Sequence, residues 1–190
     1  MEPTRKTPDD PSAAFAEPYI GPVPAAESVG DEYIPFALRW PPAWGARIWL
    51  MVRNGTGTLV ELAFHASSYQ LRDVTLVTLP PDRWMASLDP RPEVPVVEGL
   101  PRCDPAAWLA LTRTGSFNDS SDSYLDVTAP VRLAFTSTEA VLYLDGIAGE
   151  VTAELASGRA RIGVDARGAI ACVRLTELSE REAALLHERV

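Results

Sequence analysis

The residues best able to do chemistry are a histidine and a glutamate that share one face of a predicted strand. His65 is the only histidine within the predicted strands, so a general base or an imidazole ligand there would have to be His65. Glu61 lies on the same face because side chains alternate along a strand. The pair indicates either a small-ligand or hydrolase-type pocket near Glu61 and His65, or the half-exposed polar face of an antiparallel sheet. We prefer the second interpretation because such faces are common.

A second candidate is the polar run 116–126. Three carboxylates lie in it: Asp119, Asp122 and Asp126. The run lacks the spacing of an EF-hand, since Ser123 stands where a glycine is needed and Ala129 stands where a bidentate glutamate is needed. A catalytic site would require these acids to converge with the strand-borne pair on one cavity. Otherwise the run is a polar loop before a strand, and we expect no metal site.

Motifs of the common nucleophiles and cofactors are absent. The chain contains no Gly-x-Ser-x-Gly and no His-Glu-x-x-His. Lys6 is the only lysine and follows no glycine-rich run, which excludes a P-loop. Cys103 and Cys172 lack a paired spacing for zinc and are predicted to be inert thiols. We therefore expect no cofactor, and the case for an enzyme is weakened but not excluded, because paired carboxylates leave no linear signature.

An aromatic and proline-rich segment, 33–49, is the best candidate for a binding surface. Tryptophan and tyrosine are enriched at the hot spots of protein interfaces, and the intervening prolines would make the segment rigid. The predicted interaction residues are Tyr33, Phe36, Trp40 and Trp44. The alternative is that proline and tryptophan pack together in the core at the edge of a sheet, where proline also blocks unwanted strand pairing.

The charge distribution argues against a nucleic-acid partner. The formal net charge is −9, residues 1–32 contain seven acids and two bases, and no cluster of three bases occurs. Binding to phosphate backbones requires a basic stripe that releases counterions. The chain also has no apolar run of the roughly 18 residues that cross a membrane, and no basic start followed by an apolar core. We expect a cytoplasmic protein that binds neither nucleic acid nor membrane.

The strand and helix patterns of the sequence predict a β-dominated α+β fold. We expect an antiparallel sheet or sandwich in two strand blocks. Proline and acidic residues dominate 1–31, which is the composition of a flexible tail. We assign 32–190 to a single globular domain. Its predicted parts are a strand block 33–79, an irregular or helical connection 80–115, a strand block 124–176 and a C-terminal helix 179–190.

Turn signals predict two hairpins within the strand blocks. Asn54-Gly55 between two apolar runs is a strong hairpin signal. In the second block, a two-residue turn at Ser157-Gly158 predicts that Leu155 lies opposite Ala160. A later turn before Ala169 leaves the register of the last strand open, because a glycine bulge there would shift the pairing by one residue.

Capping signals predict helices at three places. Asp104 followed by Pro105 predicts the start of a mid-chain helix. Asp82 can cap a shorter helix through Leu88. Near the C-terminus, Ser179 and Glu182 have the spacing of a capping box.

These observations favour a non-catalytic protein-interaction module, such as an inhibitor or immunity-like protein whose acidity suits a basic target. The alternative is the small-ligand or hydrolase-type domain with its pocket near Glu61 and His65. The sequence does not identify the partner, the ligand or the oligomeric state.

Overall fold

The computed structural model describes residues 10–42, 45–55, 57–107 and 123–188. Over these ranges the chain forms two β-sheets that share one cluster of buried apolar side chains. The strands are β1 (Phe15–Ile20), β2 (Glu27–Ser28), β3 (Ala37–Arg39), β4 (Arg47–Arg53), β5 (Leu59–His65), β6 (Leu71–Thr78), β7 (Trp84–Met85), β8 (Val96–Cys103), β9 (Ser123–Thr128), β10 (Val131–Phe135), β11 (Glu139–Leu144), β12 (Ala153–Ser157), β13 (Ala160–Val164) and β14 (Ile170–Thr176). The C-terminal helix, Glu180–His187, follows β14. The expected β-dominated α+β class is confirmed. No helix within these ranges is long and apolar enough to cross a membrane.

Both sheets are mixed, which corrects the expectation of antiparallel sheets. The larger sheet has the strand order β1-β8-β12-β13-β14-β11-β10-β7, and the smaller has the order β2-β3-β6-β5-β4-β9. Three neighbouring pairs are parallel: β8 with β12, β7 with β10, and β4 with β9. Turn signals in a sequence identify hairpins, whose strands are antiparallel. Parallel neighbours come from long connections, which leave no such local signal.

The two predicted strand blocks do not correspond to the two sheets. β9 begins the second block, yet it lies beside β4 in the smaller sheet, with Leu125 opposite Leu50. The strands that follow β9 all belong to the larger sheet. The alternation of apolar residues identifies β9 as a strand, but it carries no information about which sheet the strand joins.

The connection 80–115 also differs from its prediction. β8 lies within it and contains Leu100, which is 0% exposed. In place of the helix expected from Asp82 to Leu88, the chain forms a 3-10 turn, Pro81–Arg83, followed by the short strand β7. The high proline content of this stretch is typical of an irregular segment, but proline is tolerated in a strand where its missing N–H is not needed by the ladder.

Residues 10–28 depart from the tail that their composition predicts. β1 pairs with β8 in the larger sheet, and β2 pairs with β3 in the smaller. Phe15 is 5% exposed, and its ring meets that of Phe64 edge to face at a centroid distance of 6.1 Å. Composition averages over a segment, so it understates what one well-placed aromatic side chain contributes by burial.

The predicted hairpin around Asn54 is present as β4 and β5. Leu50 lies opposite Leu62, and Ile48 lies opposite Phe64. These four side chains belong to the shared core, as the alternation of the sequence predicts. The opposite face of the hairpin carries Glu61 and His65.

The hairpin of β12 and β13 has a different register from the predicted one. Ser157 pairs with Ala160 and Leu155 pairs with Ile162, so the turn consists of Gly158 and Arg159. Gly158 has a φ of +60°, a conformation that glycine adopts without strain. Because the partner of each residue moves by two positions, every side chain stays on its expected face. Between β13 and β14 the register shifts at Gly163 and Val164, which shows a bulge there.

Capping interactions are formed at the start of both helices. The Ser179 hydroxyl accepts a hydrogen bond from the Glu182 N–H at 3.3 Å, and the Glu182 carboxylate accepts one from the Ser179 N–H at 2.7 Å. The predicted capping box is therefore confirmed. In the mid-chain helix, the Asp104 carboxylate accepts the N–H of Ala106 at 2.8 Å. The residues after Ala107, where the rest of this helix is predicted, lie outside the described residues.

Glu182 makes the attachment of the C-terminal helix sensitive to acid. Burial acts to raise the pKa of its carboxyl group, but hydrogen bonds from Arg159, Ser179 and Ser28 outweigh burial and lower the pKa to about 2. A carboxyl group with a lowered folded-state pKa stabilises the fold above its unfolded-state pKa, about 4.3, and this contribution is lost as the pH falls towards the folded-state value. We expect the free energy of unfolding to decrease between about pH 4.3 and pH 2 more steeply in the wild type than in Glu182→Gln.

Urea denaturation at a series of pH values measures this difference. Glutamine retains the capping geometry but loses the charge, so the variant isolates the ionisation of residue 182. Glu180→Gln, a neighbouring exposed glutamate in the same helical turn, is the matched control and should follow the wild type. Parallel curves for the wild type and Glu182→Gln would contradict the assignment.

Candidate functional site

The structure does not bring Glu61 and His65 into contact. Both lie on β5, where Glu61 is opposite Met51 and His65 is opposite Arg47. Four residues along a strand span about 13 Å, which is too far for a shared hydrogen bond. The two side chains are each half-buried. They therefore do not form an acid and base couple, and their placement matches the polar face of a sheet.

The ring of His65 is held by the turn that follows β5. Its Nδ1 accepts the backbone N–H groups of Ser67 at 3.4 Å and Ser68 at 3.3 Å, and lies 3.0 Å from the Ser67 hydroxyl. When Nδ1 accepts hydrogen bonds, the ring proton is carried by Nε2. The Nε2 edge lies against Gly45, where a Cβ atom would be only 2.9 Å away. The Nδ1 lone pair, which a general base needs, is occupied by these backbone N–H groups. The role of His65 is therefore to stabilise the turn.

The acidic candidates do not assemble into a site within the described residues. Asp126 on β9 is 8% exposed, and its Oδ1 lies 2.8 Å from Nε of Arg53. Both Asp126 and Glu61 lie opposite Met51, on the two strands that flank β4, so their backbones are about 10 Å apart. Asp119 and Asp122 lie outside the described residues. Asp126 is the one of the three acids of this run that the structure describes. Its ion pair with Arg53 favours a structural role for Asp126.

Trp40 belongs to the core and cannot contact a partner. The side chain is 0% exposed, and its indole N–H donates a hydrogen bond to the Ser157 hydroxyl at 2.7 Å. Ser157 in turn donates to the carbonyl oxygen of Pro24 at 2.7 Å. Phe36, the second predicted interaction residue in this part, is 2% exposed. The core-packing alternative therefore describes both residues, whereas Trp44 lies outside the described residues.

Among the predicted interaction residues that the structure describes, Tyr33 is the one that is exposed. It is 77% exposed, and its hydroxyl makes no hydrogen bond with the described residues. The Asp31 carboxylate holds the loop by accepting the N–H groups of Tyr33 and Ile34, each at 2.8 Å. These hydrogen bonds, that from Ile34 first, lower the pKa of Asp31. The loop lies between β2 and β3 and is closed further by a hydrogen bond from the Val29 N–H to the Ala37 carbonyl. Tyr33 is thus an exposed ring on a fixed loop.

Tyr33 lines a surface cleft that lies between the ends of the two sheets. The cleft has a volume of about 490 Å³, which is within the range of ligand pockets. Its walls come from the loop before β3, the end of β6, the hairpin loop after β4, and β7. The lining residues are Tyr33, Pro35, Gly57, Leu76, Val77, Thr78, Leu79, Pro80, Pro81 and Trp84. The lining combines rings, prolines and aliphatic groups with the Thr78 hydroxyl, and none of the described lining residues has a charged side chain.

Trp84 on β7 also lines this cleft, although its position in the sequence does not single it out. Its indole N–H donates to the Leu79 carbonyl at 3.2 Å, and its ring meets Phe135 edge to face at 6.4 Å. These contacts fix the ring in one orientation. The helix predicted from Asp82 to Leu88 includes Trp84, so the sequence offers no reason to place this residue at a cleft.

The two cysteines do not offer a nucleophile. Both are free and buried. Burial raises the pKa of the Cys103 thiol to about 12, and it also raises the pKa of Cys172. Because the thiolate is the reactive form, neither residue is activated at neutral pH. Among the described residues, no three histidine, cysteine, aspartate or glutamate side chains are grouped to hold a metal ion.

Substitutions of Trp40 and Tyr33 distinguish a core residue from a surface residue by their effects on stability. We expect Trp40→Ala to lower the free energy of unfolding by about 3–5 kcal/mol, because it removes a buried ring and leaves Ser157 without its donor. Tyr33→Ala should change it by less than about 0.5 kcal/mol, as is usual for an exposed residue. Chemical denaturation monitored by circular dichroism measures both values. A Trp40→Ala protein as stable as the wild type would contradict the buried position of Trp40.

Thiol reactivity tests the environment of the cysteines. At pH 8 the native protein should react with an aromatic disulfide reagent far more slowly than the urea-unfolded protein, because both thiols are protonated and covered. Absorbance of the released thiol measures the rate. Rapid labelling of either cysteine in the native protein would show an accessible thiolate and would reopen the case for a cysteine nucleophile.

Comparison with known proteins gives no family to which the chain can be assigned. The chain matches no protein-family model, and no curated protein is significantly similar to it. Functional conclusions about this chain therefore depend on its own site. The cleft lined by Tyr33 and Trp84 is one surface feature of the described residues that could receive a partner.

Proposed function

We propose that the chain is a non-catalytic protein-interaction module that binds its partner through the Tyr33–Trp84 cleft. The observation that supports this proposal most directly is the 77% exposure of Tyr33 beside a cleft whose described lining residues include aromatic rings and prolines and no charged side chain. Tyrosine and tryptophan dominate the binding energy of many protein interfaces, where they act as anchors in desolvated pockets. A ring this exposed gains little from folding and is available for contact with a partner. We include the expected cytoplasmic location in this proposal.

The rigidity of the cleft also supports an interaction role. Asp31 fixes the loop that carries Tyr33, and Leu79 fixes the ring of Trp84. The three prolines in the walls restrict the backbone further. A surface that is already ordered loses little conformational entropy when a partner binds, so more of the contact energy appears as affinity.

The described residues give less support to catalysis. His65 uses its Nδ1 lone pair in a turn, Asp126 is paired with Arg53, and both thiols are protonated. Among the described lining residues of the cleft, no charged side chain could act as an acid or a base. Among the described residues, no geometric feature favours the small-ligand or hydrolase alternative near Glu61 and His65.

Replacement of Tyr33 should release the partner without unfolding the protein. The wild type, Tyr33→Ala and Tyr19→Ala are produced in the cells from which the chain comes, purified gently and examined by native mass spectrometry. Tyr19 is the matched control because it is a partly exposed tyrosine, 36%, on β1 at the other edge of the larger sheet. We expect a second polypeptide of defined mass with the wild type and Tyr19→Ala, and its loss from Tyr33→Ala.

Two outcomes would contradict the proposal. Retention of the same polypeptide by Tyr33→Ala would place the interface elsewhere. A bound mass of a few hundred daltons, in place of a polypeptide, would support a small-ligand pocket. Thermal unfolding of each variant is recorded in parallel, because a loss of binding is informative only if the fold is retained.

A further inference from the structure

We infer that residues 86–95 form a strap that opens and closes over the outer face of the larger sheet while both sheets remain folded. The outer face is the one that points away from the shared core. This motion goes beyond the interaction function proposed above and does not depend on it. Three features of the strap support it: its path, the few contacts that hold it, and the residues that it covers.

The path of the strap follows from the order of the strands in the larger sheet. β7 lies at one end of this sheet and β8 lies near the other end, with five strands between them: β10, β11, β14, β13 and β12. Residues 86–95 connect β7 to β8, so they have to cross these five strands. On the way, Asp89 contacts Tyr143 of β11, and Arg91 contacts Glu154 of β12.

The strap covers a row of four residues that lie side by side across the outer face. Tyr143 lies opposite Cys172, Cys172 lies opposite Gly163, and Gly163 lies opposite Glu154. Residues directly opposite each other point to the same face, and Leu142, the chain neighbour of Tyr143, belongs to the core. The row therefore points outward, yet Cys172 is 8% exposed and Glu154 is 2% exposed. Because the strap is bound at both ends of the row, it passes over Cys172 in the middle.

The strap itself contributes little to the buried part of the fold. The structure describes all of its residues, of which Leu88 and Val94 are half-buried and the others are exposed. None of these ten positions belongs to the shared apolar cluster or packs against it. The backbone of the strap is held to the sheet by the Asp89 N–H, which donates to the Tyr143 hydroxyl at 3.3 Å. Segments with few buried apolar contacts open locally at a lower free energy than global unfolding, so the strap can leave the sheet without loss of the core.

Two ion pairs keep the strap closed, and they differ in what their loss would leave behind. Nε of Arg91 lies 3.1 Å from Oε2 of Glu154, and the Glu154 side chain is 2% exposed. Asp89 lies 2.5 Å from Arg132, but Arg132 also pairs with Asp145 at 3.1 Å. Without Arg91, the closed strap would bury the Glu154 charge with no counter-ion, which is a costly state. The Arg91–Glu154 ion pair therefore determines whether the strap stays closed.

Thiol labelling measures the opening of the strap, because the two cysteines lie in different places. Cys172 lies beneath the strap, whereas Cys103 on β8 belongs to the shared core and serves as the internal control. The full chain is incubated with iodoacetamide in native buffer at pH 8, and mass spectrometry of its peptides gives the labelling rate of each cysteine. We expect Arg91→Ala to increase the rate of Cys172 at least about tenfold, because the closed strap then buries an unpaired charge. The rate of Cys103 should stay unchanged.

Two further variants connect the opening to the Arg91–Glu154 ion pair. Arg83→Ala is the matched control, because the Arg83 side chain is 46% exposed against 44% for Arg91, while its partner Asp82 is itself 75% exposed. This variant should be labelled as the wild type is. In the Glu154→Gln background, Arg91→Ala should change the rate of Cys172 by less than about threefold, because residue 154 then has no charge to leave unpaired.

Three results would overturn the inference. Unchanged labelling of Cys172 in Arg91→Ala would show that this ion pair does not hold a movable segment. Equal acceleration of Cys103 and Cys172 would show that the sheets open together with the strap, and urea denaturation of each variant, recorded in parallel, would then show the loss of global stability. An increase for Arg83→Ala as large as that for Arg91→Ala would show that the buried charge of Glu154 plays no part.

Discussion

The hydrogen bond from Trp40 to Ser157 connects the two sheets through the apolar core. Trp40 directly follows β3 of the smaller sheet, and Ser157 ends β12 of the larger one. The two side chains are 0% and 2% exposed, so neither polar atom could find water if the other were missing. The Ser157 hydroxyl in turn donates a hydrogen bond to the Pro24 carbonyl, and the Ala26 N–H donates one to the carbonyl of Ser157. This buried chain of hydrogen bonds thus holds β2, β3 and β12 in fixed relative positions.

The fixed position of β2 and β3 determines where Tyr33 lies. The loop between these two strands is closed by Asp31 and presents Tyr33 next to the end of β6. The aromatic segment therefore has two parts with different roles. Trp40 and Phe36 hold the sheets together, and Tyr33 is directed to the surface.

Local features of this fold could be predicted from the sequence, and long-range ones could not. The hairpin at Asn54 and the capping box at Ser179 depend on residues close together in the chain, so their patterns are sufficient. The pairing of β4 with β9 and of β8 with β12 depends on contacts across long connections, for which one sequence contains no signal. The same limit applies to the site, because Trp84 and Tyr33 come to line one cleft only through the sheet arrangement. Aromatic clustering identified Tyr33 but could not distinguish it from the buried Trp40.

The central claim is that Tyr33 contacts a partner polypeptide, and site-specific photo-crosslinking tests it most directly. Benzoylphenylalanine is placed at position 33 in one sample and at position 19 in another, and each is irradiated in the cells from which the chain comes. The account predicts a discrete crosslinked product of higher mass from position 33 and none from position 19. No product from position 33, or the same product from both positions, would contradict it.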